Sequence, residues 1–266
     1  MNKKTSVFSK LYIGLILLFL YAPIFVLIAF SFNKSKSRGK WAGFSFDWYE
    51  KFLKDDSLIE ALMTTVVCGI VAAIIATIIG TLTCLAFYSM KKRKKSLLLS
   101  LAYIPMLNAE IVTGISLMMM YTLFNMELGF VTLLLSHVTF CIPYVILSIM
   151  PKMNQFDYSF YEAALDLGAT PKRALCKIVL PDLMPGIISG FLLSFTLSID
   201  DFIISLFTTG NGVNNLSIKI YTMTKRGVDP KINAVSTIVF GVILLLLIAI
   251  NFKSYTKTKK KGKERY

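Results

Sequence analysis

A chain of 266 residues in which 55% are apolar, with a mean hydropathy of +0.66, has too little polar surface to coat a soluble globule of its size. Its net charge of +14 would suit nucleic acid, but the basic residues collect at alternate ends of long apolar runs, so charge and topology together exclude that class. The composition is that of an all-α polytopic membrane protein.

Six runs are long enough to cross a hydrocarbon core of about 30 Å, which takes about 20 helical residues. In chain order they are Leu11–Phe32, Ala61–Met90, Leu97–Phe124, Leu128–Met150, Leu183–Phe207 and Ile232–Phe252. None alternates apolar with polar, so helices fit and barrel strands do not. Lys3, Lys4 and Lys10 before the first run resemble the start of a signal peptide. The run itself is too long for one, and Ser31-Phe32-Asn33 is no cleavage site, so it reads as an uncleaved anchor.

The basic residues fix an expected orientation. They fall before the first span, in Lys91-Lys92-Arg93-Lys94-Lys95, at Lys152, Lys172, Arg173 and Lys177, and in the tail from Lys253 to Arg265. These segments hold 19 of the 29 Lys and Arg. The positive-inside bias then predicts both termini in the cytoplasm, and the anionic lipid surface is the expected partner of the charge.

On the opposite side, Asn33–Glu60 carries Trp41, Phe44, Phe46, Trp48 and Tyr49, suited to a membrane interface or to an outside partner. Asp56-Ser57 is placed to start the second helix. Thr208–Lys231 opens on the turn Thr209-Gly210-Asn211-Gly212, continues with the apolar stretch Leu216–Met223, and turns again at Gly227-Val228-Asp229-Pro230.

Cys68, Cys84, Cys141 and Cys176 form no C-x-x-C pair and are expected to pack as small apolar residues. His137 is the only histidine, which excludes a histidine-clustered metal site, and it is expected to hydrogen-bond between helices rather than relay protons. No phosphate-binding G-x-x-x-x-G-K-[ST] stretch occurs.

The segment Pro151–Pro181 holds more structure than a basic linker needs. Asp157-Tyr158-Ser159 supplies caps for a short helix that shows Phe160, Ala163, Ala164 and Leu167 on one face. Gly168 stops it, and Thr170-Pro171 starts a second helix expected to end before Pro181. A small helix-turn-helix of this kind suits a groove on a cytoplasmic partner, or else the headgroup layer.

This segment resembles the EAA signature of the permease subunits of ATP-binding-cassette importers: Glu162-Ala163-Ala164, then Gly168, then Ile178-Val179-Leu180-Pro181. Ser198-Ile199-Asp200-Asp201-Phe202, Lys219-Ile220-Tyr221, Gly227–Ala234 and Trp41-Ala42-Gly43-Phe44-Ser45 resemble the spermidine/putrescine permeases of the PotC type. The resemblance implies a type I importer permease fold of six transmembrane helices, residues 1–266 forming one permease domain with residues 151–181 as its coupling loop. It implies a polyamine cargo and a multi-pass place in the bacterial cytoplasmic membrane. The implied partners are a homologous second permease, two copies of a cytoplasmic ATPase and an extracellular solute-binding protein. ATP and magnesium would belong to the ATPase, this chain binding no cofactor and being no enzyme. Glu162, Ala163, Ala164, Asp166, Gly168, Ala169, Pro171, Leu180 and Pro181 would carry the coupling. Another small solute carried by the same machine, or a stand-alone proton-coupled carrier, are the alternatives.

Three acids lie inside spans: Glu110, Asp200 and Asp201. Each costs about 2.5–3.5 kcal/mol near a bilayer centre, so none is expected to face lipid. No Lys or Arg lies in any span to pair with them. Ser, Thr, Asn108, His137 or backbone amides are candidate partners, and an oligoamine cargo would itself supply the counter-charge. All three are expected along the substrate path. Because adjacent helical residues point about 100° apart, Asp200 and Asp201 are expected to divide the work, one meeting cargo and one bracing the bundle.

Overall fold

Residues 7–36, 39–88, 90–225, 227, 229–245 and 248 are described by the computed structural model. Lys3, Lys4, the end of the sixth predicted span and the basic tail from Lys253 lie outside them. The helices are α1 (Val7–Ser31), α2 (Asp47–Leu53), α3 (Asp56–Tyr88), α4 (Lys92–Leu107), α5 (Glu110–Leu123), α6 (Phe130–Gln155), α7 (Ser159–Asp166), α8 (Pro171–Ala174), α9 (Leu180–Asp200), α10 (Ile203–Thr208), α11 (Leu216–Lys225) and α12 (Lys231–Leu245). Among the described residues four helical stretches are long and apolar enough to span a membrane, or five where the bent pair α4 and α5 is counted as one span. The sixth predicted span begins as α12, which runs 15 residues within the described part.

The chain forms two compact units. The larger, Glu60–Lys219 in its described part, is built on α6 and α9. Lipid gives apolar helices no hydrophobic reason to associate, so close approach through small residues takes over. Gly186 and Gly190 supply it on α9. A Cβ on Gly186 would sit 3.1 Å from the Cα of Ile149, and one on Gly190 would sit 3.3 Å from the Cα of Val145. From α3, Gly80 presses on the same Val145, where a Cβ would come within 2.6 Å of Cγ1. Cys84 and Cys141 are buried here as the small packers the sequence suggested, and the Cys141 thiol donates to the Ser194 carbonyl at 3.5 Å.

The smaller unit, Met1–Ile59 with Ile220–Ala249, is organised by Asn33 just past the end of α1. Its Nδ2 donates to the Lys40 carbonyl at 2.9 Å, its Oδ1 accepts from the Ala42 amide at 2.9 Å, and its carbonyl accepts from Trp48 Nε1 at 2.7 Å. The buried Asn33 thereby folds the following loop back on the helix end, where Phe32 stacks on Phe44 and the rings of Phe46 and Tyr49 pack beside them, edge to face and tilted. The start of α3 is capped by Asp55, one residue earlier than expected: its Oδ1 accepts from the Leu58 amide at 3.3 Å.

Two spans and the Pro151–Pro181 segment differ from the sequence reading. The third bends by 103° between α4 and α5, because Asn108 and Ala109 turn extended. The second short helix of the Pro151–Pro181 segment does not stop before Pro181. After α8 it widens into one π-type turn, Leu175–Val179, and continues as α9, so Pro171–Asp200 is one helical rod. Pro181 follows directly on that wide turn, as the second residue of α9. The fifth span then breaks at Asp201-Phe202 instead of running through to Phe207.

The α6–α9 contact predicts a strong size limit. Replacing Gly190→Leu should lower the unfolding temperature of the detergent-solubilised protein, at a cost of about 1–3 kcal/mol for overpacking. Gly14→Leu, where a Cβ meets nothing within 4 Å, should leave it unchanged. Equal melting of both variants would contradict this packing.

Candidate functional site

Local chemistry shapes the Pro151–Pro181 segment. The Asp157 carboxylate accepts from the Ser159 amide at 3.0 Å, and that bond, joined by one from the Ser159 side chain, holds its pKa below the ordinary carboxylate value. This cap is in place above the ordinary carboxylate pKa and is lost as pH falls through the lowered one. At the other end of α7 the Gly168 amide donates to the Leu165 carbonyl and the Ala169 amide to the Ala164 carbonyl, both at 2.9 Å. Gly168 takes φ +84°, the left-handed stop that glycine accommodates without a Cβ penalty. Thr170 Oγ1 then accepts from the Arg173 amide at 3.4 Å, with Pro171 opening α8.

The segment is anchored on one side only. Tyr161 and Phe156 pack against the core that holds Met150, Met153, Val179 and Leu183, and Tyr158 stacks on Tyr161 at 5.0 Å. Glu162, Ala163, Asp166, Gly168 and Pro171 are exposed, whereas Ala164, Ala169 and Leu180 are half-buried and Pro181 is exposed further on. Phe160 and Leu167 expose 62% and 89% of their surface, an apolar pair presented outward from a rigid turn.

The second constellation surrounds Asp201, which is only 9% exposed. Its Oδ2 accepts from the Ser205 amide at 2.8 Å and the Ser205 hydroxyl at 2.7 Å, and its Oδ1 from the Ile204 amide at 3.3 Å. The carboxylate thereby caps α10, satisfying amides that the helix leaves free. His137 Nε2 lies 3.0 Å from Ser205 Oγ and 3.5 Å from Asp201 Oδ2, and its Nδ1 lies 2.5 Å from Ser198 Oγ. Asn215 Nδ2 also donates to Ser205 Oγ, at 3.0 Å.

These bonds assign the protons. Ser205 has one hydroxyl hydrogen, and it goes to Asp201, so the oxygen must accept from both Asn215 and His137. His137 therefore carries a proton on Nε2, and in the neutral ring Nδ1 accepts from Ser198. The lone histidine joins α6, α9 and α10, the interhelical role expected of it. Thr132 adds a second tie from α6, donating to the Thr208 carbonyl at 2.8 Å.

The three acids thus part company. Asp201 finds its partners within its own chain. Asp200, the last residue of α9, is exposed and makes no side-chain hydrogen bond or ion pair among the described residues. Glu110 is exposed in the first turn of α5. Gly114, one turn further on and about 6 Å away by helical rise, packs its backbone against Ile203 and Ile204 at the start of α10. The first turn of α5 and the Asp201 break therefore lie close together. Ser198, Ser205 and Asn215 were not singled out from the sequence. An acid directly before an apolar run is a helix-start signal, and read so it would have marked Ser205 four residues on.

Residues 69–256 match the family described as binding-protein-dependent transport system inner membrane component. The chain is 39% identical over 244 residues to the spermidine/putrescine transport system permease protein PotC of Shigella flexneri, covering 92% of each. It is 36% identical over 234 residues to the putrescine transport system permease protein PotI of Escherichia coli K12, covering 85% of this chain and 83% of that one. A bacterial ABC transporter involved in import of the acidic polysaccharide alginate shares its fold with a TM-score of 0.71 at 15% identity, over 94% of this chain and 95% of that one. A chain of the MetNI methionine ABC transporter aligns with a TM-score of 0.57 at 17% identity, over 73% of this chain and 92% of that one.

Removing the Ser205 hydroxyl tests the buried network. Ser205→Ala strips a donor from Asp201 and an acceptor from Asn215 and His137, and should cost about 2–3 kcal/mol, read as earlier thermal unfolding in detergent. Ser189→Ala, at an exposed site bonded only to its own helix, should change stability by under about 0.5 kcal/mol. A Ser205→Ala protein that melts with the wild type would contradict the network.

Proposed function

The chain belongs to the family of binding-protein-dependent transport system inner membrane components, and on that premise we propose that it is the permease subunit of an ATP-driven importer of polyamines. It is a transport subunit and not an enzyme. We assign it a homologous second permease as heterodimer partner, two copies of a cytoplasmic ATPase that use ATP and magnesium, and an extracellular solute-binding protein. The termini and the Pro151–Pro181 segment face the cytoplasm.

The observation that carries the reading is the turn at Gly168. It presents Glu162, Ala163, Asp166, Phe160 and Leu167 outward from α7, as a groove on an ATPase would require, while Pro171–Asp200 leads from that turn as one rod. At 1.5 Å per residue the rod is about 45 Å long. Displacement of the turn by the closing ATPases is delivered by this rod to Asp200 and the Asp201 break. Ala164, Ala169, Pro171, Leu180 and Pro181 keep turn and rod in register.

What supports the cargo is the identity with permeases for spermidine and putrescine, together with the exposed carboxylates of Asp200 and Glu110. A polyammonium cargo sheds hydration inside the membrane, and carboxylates replace it well at close range. Asp201 shapes the same stretch of path by ending α9 where Asp200 stands.

Proteoliposomes holding this chain, the second permease and the ATPase should accumulate labelled spermidine when ATP and the solute-binding protein are supplied. Uptake by this chain alone, driven by a proton gradient, would overturn the reading. Gly168→Val tests the turn. Its Cβ would meet nothing within 4 Å, so the variant should fold, but the left-handed φ costs about 1–2 kcal/mol. Uptake should fall about five- to thirtyfold on that scale, and unchanged uptake would remove Gly168 from the coupling.

A further inference from the structure

The smaller unit contains a cleft that the transport reading leaves unused. Its volume is about 480 Å³, and Lys36, Trp48, Lys51, Asp229, Pro230 and Lys231 line it. We propose that this cleft binds the phosphate of an anionic phospholipid headgroup, with the acyl chains lying along the neighbouring aromatic cluster and α1.

Charge sets the ligand's sign. Lys231 is neutralised from within: its ammonium donates to Asp55 Oδ2 at 2.7 Å and lies 3.6 Å from Asp229 Oδ2. Lys36 and Lys51 make no ion pair among the described residues, and the Lys51 ammonium lies 4.4 Å from the centre of the Trp48 ring. Two lining cations outside the Lys231 ion pairs are thus left for an anion. A singly charged phosphodiester is the match. A zwitterionic headgroup would bring an ammonium up against Lys36 and Lys51.

The surroundings choose lipid over a free anion. Trp48 is 3% exposed and held by its bond to the Asn33 carbonyl, so the cleft floor is fixed to the end of α1. Trp41, Phe44 and Phe46 remain largely exposed beside it, and Phe30 meets Trp41 edge to face. Exposed rings at the end of a spanning helix are the signature of the headgroup level. Between Lys10 and Phe30 no residue of α1 is buried, so its apolar surface is open to acyl chains. The leaflet follows from the orientation proposed above, and the binding itself does not depend on it.

The test uses the full chain in detergent with added phosphatidylglycerol or phosphatidylethanolamine, read by native mass spectrometry. The protein should retain phosphatidylglycerol preferentially. Lys36→Gln with Lys51→Gln should weaken that retention about tenfold or more, at about 1 kcal/mol per cation, with phosphatidylethanolamine unaffected. Should the double variant fold poorly, Lys36→Gln alone carries the same comparison at about fivefold. The chain has two tryptophans, so a Trp41→Phe protein reports from Trp48 alone, and phosphatidylglycerol brominated on its acyl chains should quench it. Equal retention of the two lipids would overturn the proposal. So would displacement of the lipid by inorganic phosphate, which marks a free-anion site, or by an acidic peptide, which marks a protein-docking face.

Discussion

A carboxylate buried in an apolar span must be satisfied by its own protein, and at Asp201 this constraint organises the α9–α10 end of the larger unit. Satisfying the group takes the free amides of a helix start, so α9 has to end and α10 has to begin beside it. It takes the Ser205 hydroxyl, which fixes the proton of His137 and ties α6 to both helices. The break in turn leaves Asp200 as the last residue of a helix, exposed and unpaired among the described residues. One acid is spent on structure so that its neighbour stands free.

Much of this was legible in the chain. The Asp157 cap, the Gly168 stop and the Thr170-Pro171 start all hold at their expected positions, because each depends on local backbone chemistry. The expectation that Asp200 and Asp201 differ also holds, although for another reason. Helical divergence does not separate them, since Asp201 is extended with ψ 128° and not helical. The lack of Lys and Arg in the spans pointed to cargo as counter-ion, yet the Ile204 amide and the Ser205 amide and hydroxyl, three and four residues on, donate to Asp201. The ties of His137 to Ser198 and Ser205 around that group join residues 61 and 68 positions apart and leave no periodic trace.

The continuity of Pro171–Asp200 was hidden for a related reason. Pro181 and Pro185 look like breaks, but the π-type turn Leu175–Val179 absorbs the change in register ahead of them. A wide turn inside a helix is a recurrent mark of functional strain relief. Here it sits between the exposed turn and a stem locked to α6 through Gly186 and Gly190. The rod is therefore packed closely against α6 through Gly186 and Gly190, and the wide turn lies ahead of that contact.

Asp200 and Asp201 stand side by side, one exposed and one buried. Thermal unfolding and the spermidine KM for ATP-driven uptake, measured together on Asp200→Asn and Asp201→Asn, test that division directly. It requires Asp201→Asn to unfold at a lower temperature, and Asp200→Asn to melt like the wild type while its KM rises. An Asp201→Asn protein of unchanged stability, or an Asp200→Asn protein of unchanged KM, would contradict it.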